Sequence, residues 1–346
     1  MVNAIKNKKI KCIIWDLDNT LWNGVLLEDS EVTLREGVLD IIKEIDQRGI
    51  LQSISSKNDY ENTMTKLKEL KIDEYFIYPE INWNAKSSSI EKIAKSINIG
   101  MDTIAFIDDQ PFEREEVNSV FPNVLTIDAA DLLTLLGMHE MNPTFITRDS
   151  KNRRKMYMSD IYRKKVEDEF EGPQEEFLAS LQMKLTISHV ELEDLQRAEE
   201  LTVRTNQLNT TGYTYSYEEL AGFRNSPNHM LFIVELEDKY GTYGKIGLLM
   251  VEIVGEEWWV KLLLMSCRVM SRGVGSVLIT HLLKLASCAS AKIKAEFVET
   301  PKNRMMYLTY KFAGFKESER NGSRIVFEHD YTNIQDYPDY VEIIVK

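Results

Sequence analysis

Asp16 and Asp18 stand two residues apart directly after an apolar run, in the string Ile13-Ile14-Trp15-Asp16-Leu17-Asp18-Asn19-Thr20. The run Ile10–Trp15 reads as a buried strand. Carboxylates at i and i+2 at the carboxyl end of a strand can converge on one metal ion, and one of them can act as a nucleophile. A solvated Asp-Asn turn would use the same residues. Three later features favour chemistry. Ser55-Ser56 ends a second apolar run, where a hydroxyl would hold a phosphoryl oxygen. Lys86 opens a helical pattern after Trp83-Asn84, where an ammonium would neutralise developing charge. Asp108-Asp109 ends a third apolar run at a carboxyl edge, the edge at which α/β sheets bind ligands. Successive residues of a strand face opposite ways, so only one of the two serines turns inward, and Ser56 is preferred.

A second group of reactive types lies in Ser266-Cys267-Arg268-Val269-Met270-Ser271-Arg272-Gly273-Val274-Gly275. A glycine turn at a helix start exposes backbone N–H groups that can cradle a phosphate, although a tight turn without function looks the same. Cys267 falls at the end of an apolar strand, just before that turn. Arg268, Arg272 and the helix N-terminus would draw its thiol toward thiolate; a small buried apolar residue is the plain alternative. Cys12 and Cys288 read as packing residues. Asn206, Gln207 and Thr210 either line a polar acyl pocket or cap a helix end. His189, His229 and His281 show no metal-ligand spacing.

The elements that must position these groups fall into two sets. Strands over Ile10–Trp15, Ile50–Ile54, Thr103–Ile107 and Val124–Ile127 alternate with helices over Val38–Arg48, Tyr60–Leu70 and Ser87–Ile97, the pattern of a parallel α/β sheet. Between Arg148 and Lys165 eight basic residues stand against two acidic ones, and Glu167–Glu171 with Gly172-Pro173 follow. A boundary is placed there: a first domain over 1–148, a basic and acidic linker over 149–172, and a second domain over 173–346. The basic stretch Lys151–Lys165 would suit an acidic partner protein or a solvated helix face. In the second domain a strand near Lys184–Ser188 and a helix over Leu192–Thr205 precede three strands, at Met230–Glu237, Gly244–Val254 and Trp258–Met265. A helix at Val274–Ala286, a strand at Lys292–Val298 and a helix within Tyr307–Phe315 complete it.

The chain has 346 residues, 43% of them hydrophobic and 28% charged, enough for two cores, and a net charge of −13. That charge argues against nucleic acid and against anionic membrane. The greasiest region, Gly247–Ser266, is broken by Glu252, Glu256, Glu257 and Lys261 and is no membrane span. The basic stretch Lys6–Lys11 leads to an apolar run too short for a secretory signal. Three cysteines are too few for a disulfide framework, so a cytoplasmic protein is expected.

Asp16-Leu17-Asp18-Asn19-Thr20, Ser56, Lys86 and Asp108-Asp109 resemble the four motifs of the haloacid dehalogenase-type phosphohydrolases, in order, over roughly residues 10–130. The resemblance implies that Asp16 becomes an aspartyl-phosphate, that Asp18 is the general acid and base, and that Asp16, Asp18, Asp108 and Asp109 hold Mg²⁺. It makes Thr20, Ser56 and Lys86 the phosphate-binding residues, with Thr20 hydrogen-bonding within its own loop. About 35 residues separate Thr20 from Ser56, too few for a large cap, so an open site is expected.

The glycine turn, Thr300-Pro301-Lys302-Asn303 and Ala313-Gly314-Phe315 are similar to the GNAT N-acetyltransferase fold. The fold class is therefore expected to be α/β throughout, a haloacid dehalogenase-like parallel sheet with a minimal cap followed by a GNAT-like domain. Met270 stands where the coenzyme motif usually has Gln or Arg, which speaks against ordinary acetyl-CoA binding. With Ser56-Lys57-Asn58-Asp59, Ile81-Asn82-Trp83, Arg204-Thr205-Asn206-Gln207 and Ser266-Cys267-Arg268-Val269, the whole chain resembles the FkbH-like proteins of polyketide biosynthesis. That resemblance implies 1,3-bisphosphoglycerate as a small three-carbon phosphorylated substrate, a glyceryl thioester on Cys267, and an acyl carrier protein as partner. Arg268, Arg272, Gly273, Gly275 and Asn303 would hold the carrier's phosphopantetheine arm, and Asn206 and Gln207 the acyl unit. Leu208 and Gly212-Tyr213 depart from the pattern around Asn209-Thr210-Thr211. Two other readings are a Mg²⁺ phosphatase with a carrier- or scaffold-binding module, and an acetyl-CoA-dependent N-acetyltransferase with a phosphatase attached.

Overall fold

The structure, a computed structural model, describes residues 9–29 and 31–346. Residues 6–8 of the N-terminal basic stretch lie outside the described residues. The chain forms two compact units, Met1–Met158 and Ser159–Lys346. Their division falls inside the segment 149–172, which is helical over Arg148–Lys151 and Arg153–Asp168.

The first unit is built on a five-stranded parallel sheet in the order Glu80–Ile81, Leu51–Ser56, Cys12–Trp15, Ile104–Asp108, Leu125–Asp128. Helices cover parallel sheets on both faces, and so the central strands are apolar along their length. All four residues of Cys12–Trp15 and all five of Ile104–Asp108 are buried. Helix Val38–Gln47 turns Val38, Ile41, Ile42 and Ile45 onto the sheet, the spacing of one helical face. Helix Tyr60–Glu69 starts at Asp59, whose carboxylate accepts from Asn62 N at 2.9 Å. In register, Trp15 faces Ile54 on one side and Ile107 on the other. Asp16, Ser55 and Asp108 thus come level at one carboxyl edge.

The second unit holds an eight-stranded sheet in the order Lys316–Asn321, Arg324–His329, Lys292–Val298, Glu257–Met265, Gly241–Val254, His229–Asp238, Met183–His189, Val341–Val345. Pairing is antiparallel except between Glu257–Met265 and Lys292–Val298 and between Val341–Val345 and Met183–His189. Helix Val274–Cys288 buries ten residues, from Val274 to Ala286, on one face of the core. Helices Leu195–Arg204 and Tyr217–Asn225 line a second cluster around Leu248, Leu262 and Leu264. No helix among the described residues is long and apolar enough to cross a membrane.

Three arginines of the basic segment are buried, while Lys151, Lys155, Lys164 and Lys165 remain exposed. Arg154 is buried against Asp46, with Nε 2.9 Å from the carboxylate, and Arg153 donates to Gly49 O. Arg163 forks onto Asp238 through Nε and a terminal nitrogen at 2.7 Å each. A bidentate pair satisfies the charge that burial exposes, and that is why arginines read as surface residues lie inside.

Candidate active site

Each functional side chain of the first unit sits where a strand ends and a helix or loop begins. Lys86, the first residue of helix Lys86–Ile97, is 3% exposed and reaches back across the sheet edge. Its Nζ donates to Asp16 Oδ1 at 2.5 Å and to Ser55 O at 2.8 Å, and stands 3.1 Å from Asp108 Oδ2. Burial works against the ammonium, but Asp16 and Asp108 outweigh it and raise its pKa. The lysine is a fixed positive charge.

Carboxylate oxygens of Asp16, Asp108 and Asp109 lie within 4.8 Å of one another. Asp108 is held by Gln110 N on Oδ1 at 2.8 Å, while its buried Oδ2 accepts no aligned hydrogen bond. Burial, with Asp16 adding repulsion against Lys86's attraction, pushes Asp108 up to about 6. Burial and Asp16 raise Asp109 as well. Three converging acidic oxygens, with Asp108 Oδ2 ion-paired to Lys86 but accepting no aligned hydrogen bond, are a fit for a hard divalent cation. Four carboxylates were expected on the metal; Asp18 is not among those that converge. Its Oδ1 accepts from Trp22 Nε1 at 2.7 Å and Leu26 N at 3.0 Å, and its Oδ2 from Asn58 Nδ2 at 3.0 Å. Burial nevertheless raises its pKa above that of an ordinary aspartate, despite these donors.

Thr20 is also corrected. Its hydroxyl does not bond within its own loop but accepts from Asp109 N at 3.0 Å and donates to Asp109 Oδ1 at 3.3 Å. It ties the first motif to the last. Both serines of the second strand are buried, and the fully enclosed Ser55 hydroxyl has no hydrogen-bond partner. Asn58 was missed as a site residue; the signal was a polar side chain two residues beyond Ser56, within reach of the same edge. Trp83, in the loop before helix Lys86–Ile97, and Phe112, in the first turn of helix Pro111–Val120, are 68% and 72% exposed.

In the second unit Cys267 opens a short turn after strand Glu257–Met265 and is partly exposed, whereas Cys12 is buried and Cys288 exposed. Burial pushes the Cys12 thiol up, consistent with an inert packing role. The loop carrying Asn206 and Gln207 comes to the same strand end, because Met265 N donates to Leu208 O at 2.9 Å. The residues expected to hold a phosphopantetheine arm have other work. Arg272 pairs with Glu167 at 2.9 Å, and Arg268 donates to Tyr243 O at 2.8 Å and lies 3.9 Å from Asp160. Gly273 has φ +75° and its missing Cβ leaves room for the Tyr340 hydroxyl; Gly275 lets the helix approach Met265 and Thr309. Asn303 is buried among backbone carbonyls of Asn209 and Val298.

Against known proteins, the sequence model of the haloacid dehalogenase-like hydrolases matches residues 22–116. The first unit is similar to haloacid dehalogenase-like hydrolases. No curated protein matches the sequence. Among solved structures, the N-terminal part of the protein BF1531 from Bacteroides fragilis, containing a phosphatase domain complexed with Mg, is 29% identical. The match covers 41% of this chain and 43% of that one, with a TM-score of 0.37. The ribosomal-protein-S18-alanine N-acetyltransferase of Escherichia coli is 17% identical over 45% of this chain and 97% of its own, TM-score 0.35. PaiA N-acetyltransferase of Thermoplasma acidophilum, in complex with coenzyme A, is 16% identical over 43% and 99%, TM-score 0.34. Both units are α/β, a parallel sheet in the unit that is similar to haloacid dehalogenase-like hydrolases, followed by a mixed sheet in the second.

Proposed function

We propose that the protein is a bifunctional phosphatase and acyltransferase of the FkbH-like kind. It takes a glyceryl unit from 1,3-bisphosphoglycerate and delivers it to an acyl carrier protein in the cytoplasm. The observation that carries the phosphatase half is the convergence of Asp16, Asp108 and Asp109 around Lys86. Mg²⁺ held by these three carboxylates would offset the repulsion between a carboxylate nucleophile and a phosphate dianion.

In the first step the Cys267 thiolate attacks the carbonyl carbon of the acyl phosphate. The carbon–oxygen bond to phosphate breaks, phosphate leaves with the electron pair, and a phosphoglyceryl thioester remains. An Asp16 oxygen then attacks phosphorus, and the ester oxygen leaves with a proton from Asp18. Asp18, returned to carboxylate, takes a proton from the water that hydrolyses the aspartyl-phosphate. The raised pKa of Asp18 favours the protonated form that the leaving group needs. Asn58 and Trp22 orient that carboxylate. Last, the carrier's pantetheine thiol displaces Cys267 by thioester exchange. Asn206 and Gln207 support a polar acyl pocket because their loop ends at the strand from which Cys267 emerges. The short connection between Thr20 and Ser56 and the exposed rings of Trp83 and Phe112 suit a phosphate presented on a protein-bound group.

Intact-protein mass spectrometry after incubation with 1,3-bisphosphoglycerate and Mg²⁺ tests this directly. A glyceryl adduct is expected on the wild type, none on Cys267→Ala, and a phosphoglyceryl adduct on Asp16→Asn. Absence of any adduct from a chain that still cleaves phosphomonoesters would leave a phosphatase with a carrier-binding module.

A further inference from the structure

The strands Glu257–Met265 and Lys292–Val298 run side by side for only four residue pairs, from Glu257 opposite Lys292 to Val260 opposite Ala295. On its other flank the first of them skips a residue: Val251 faces Val260 and Met250 faces Leu262, leaving Lys261 unmatched. A bulge of this kind bends a strand. Beyond it the two strands part and turn backbone groups toward the gap between them. Such an edge is a template for any extended chain bearing amides, the pantetheine arm of coenzyme A included.

The gap is filled from within. Thr210 N donates to Leu263 O at 3.0 Å, Leu263 N donates to Thr210 Oγ1 at 3.0 Å, and Met265 N donates to Leu208 O at 2.9 Å. From the far strand, Val298 N donates to Thr210 O at 2.9 Å. Asn303 latches the segment, its Nδ2 donating to Asn209 O at 3.1 Å and Val298 O at 2.9 Å. Asn209, Thr210 and Thr211 are polar yet buried, and Asn209 Oδ1 accepts from both Thr211 N and Gly212 N. Withdrawing the segment would strand the Leu263, Met265 and Val298 amides without partners in a buried slot.

We infer that Leu208–Thr211 is a built-in strand occupying the slot where an extended thiol cofactor would pair with the sheet. The second unit therefore binds neither coenzyme A nor acetyl-coenzyme A, and an acceptor thiol reaches Cys267 without threading between these strands. Thr210 and Asn303 are positioning residues that hold the segment in place. The inference goes beyond the glyceryl-transfer reading and stands or falls without it, since its test uses no three-carbon substrate.

The test is calorimetric titration of the full chain with coenzyme A and with acetyl-coenzyme A, paired with hydrogen exchange read by mass spectrometry. No saturable heat is expected up to about 1 mM, the weak end of specific affinity. Peptides spanning 208–212, 262–266 and 297–300 should exchange slowly, at the same rate with and without acetyl-coenzyme A. Thr210→Val removes only the hydroxyl that accepts from Leu263 N. It should speed exchange in the 262–266 peptide about tenfold, leave the fold intact and still confer no coenzyme binding. Saturable binding of either ligand, or fast exchange across these peptides in the wild type, would overturn the inference.

Discussion

At the residue scale the first unit places two nearby carboxylates in different environments. Asp16 faces a buried ammonium and two more acids, while Asp18 is held by Trp22, Leu26 and Asn58 away from the converging oxygens of Asp16, Asp108 and Asp109. Burial raises Asp18, so its proton is retained to higher pH than an ordinary aspartate allows. Rate-limiting phosphoryl transfer should then slow as pH rises through that pKa, and Asp18→Asn should abolish the limb. The variant is expected to lower phosphomonoesterase kcat by about 10²–10⁴-fold, read from the pH–rate profile. An unchanged profile in Asp18→Asn would assign the proton elsewhere. Asp108 gives a second test. Its pKa of about 6 lies above the ordinary 3.8, so the metal-free fold binds this proton more tightly than the unfolded chain does. Its contribution favours folding below the ordinary value and is lost as pH rises through 6. A divalent cation competes with that proton. Mg²⁺ affinity, measured by the shift in Tm, should fall about tenfold per pH unit below that point and level off above it.

At the element scale, the strand ends deliver the chemistry. Parallel pairing levels Trp15 with Ile54 and Ile107, and the residues just beyond each strand meet at one edge. That much followed from apolar runs ending in Asp, Ser and Asp. Short elements without periodicity were not legible. Strand Glu80–Ile81 has two residues, and strand Lys316–Asn321 is exposed throughout, so neither carries an apolar signal. Helix Arg153–Asp168 shows how a charge run misleads. Arg163 is 1% exposed and its partner Asp238 is equally enclosed, an ion pair that no local pattern announces. Arg163→Ala would leave Asp238 buried without its partner and should cost about 3–5 kcal/mol in urea unfolding. Asp238→Ala should cost a similar amount, and the double variant less than the sum. Additive costs would show that the two side chains do not act as a pair.

At the scale of the whole molecule, two α/β units of different sheet architecture share one chain, each with its own core. The proposed division of labour makes Cys267→Ala neutral for small phosphomonoesters and Asp16→Asn neutral for acylation, a pattern that the adduct experiment reads in one series. Residue order alone determined the α/β class, the converging aspartates with Lys86, and the sites of most strands, because apolar periodicity and chemical type are local properties of a chain. Tertiary structure decided the rest: that Asp18 stands off the converging oxygens of Asp16, Asp108 and Asp109, that Thr20 reaches Asp109, and that Arg268 and Arg272 find partners in Tyr243 O and Glu167. It also decided that Asn209-Thr210-Thr211, a polar stretch that reads as loop, is buried between two parting strands. The physical reason is common to all four. A polar group's partner is chosen by which distant residue burial brings within hydrogen-bond reach, and sequence spacing carries no record of that choice.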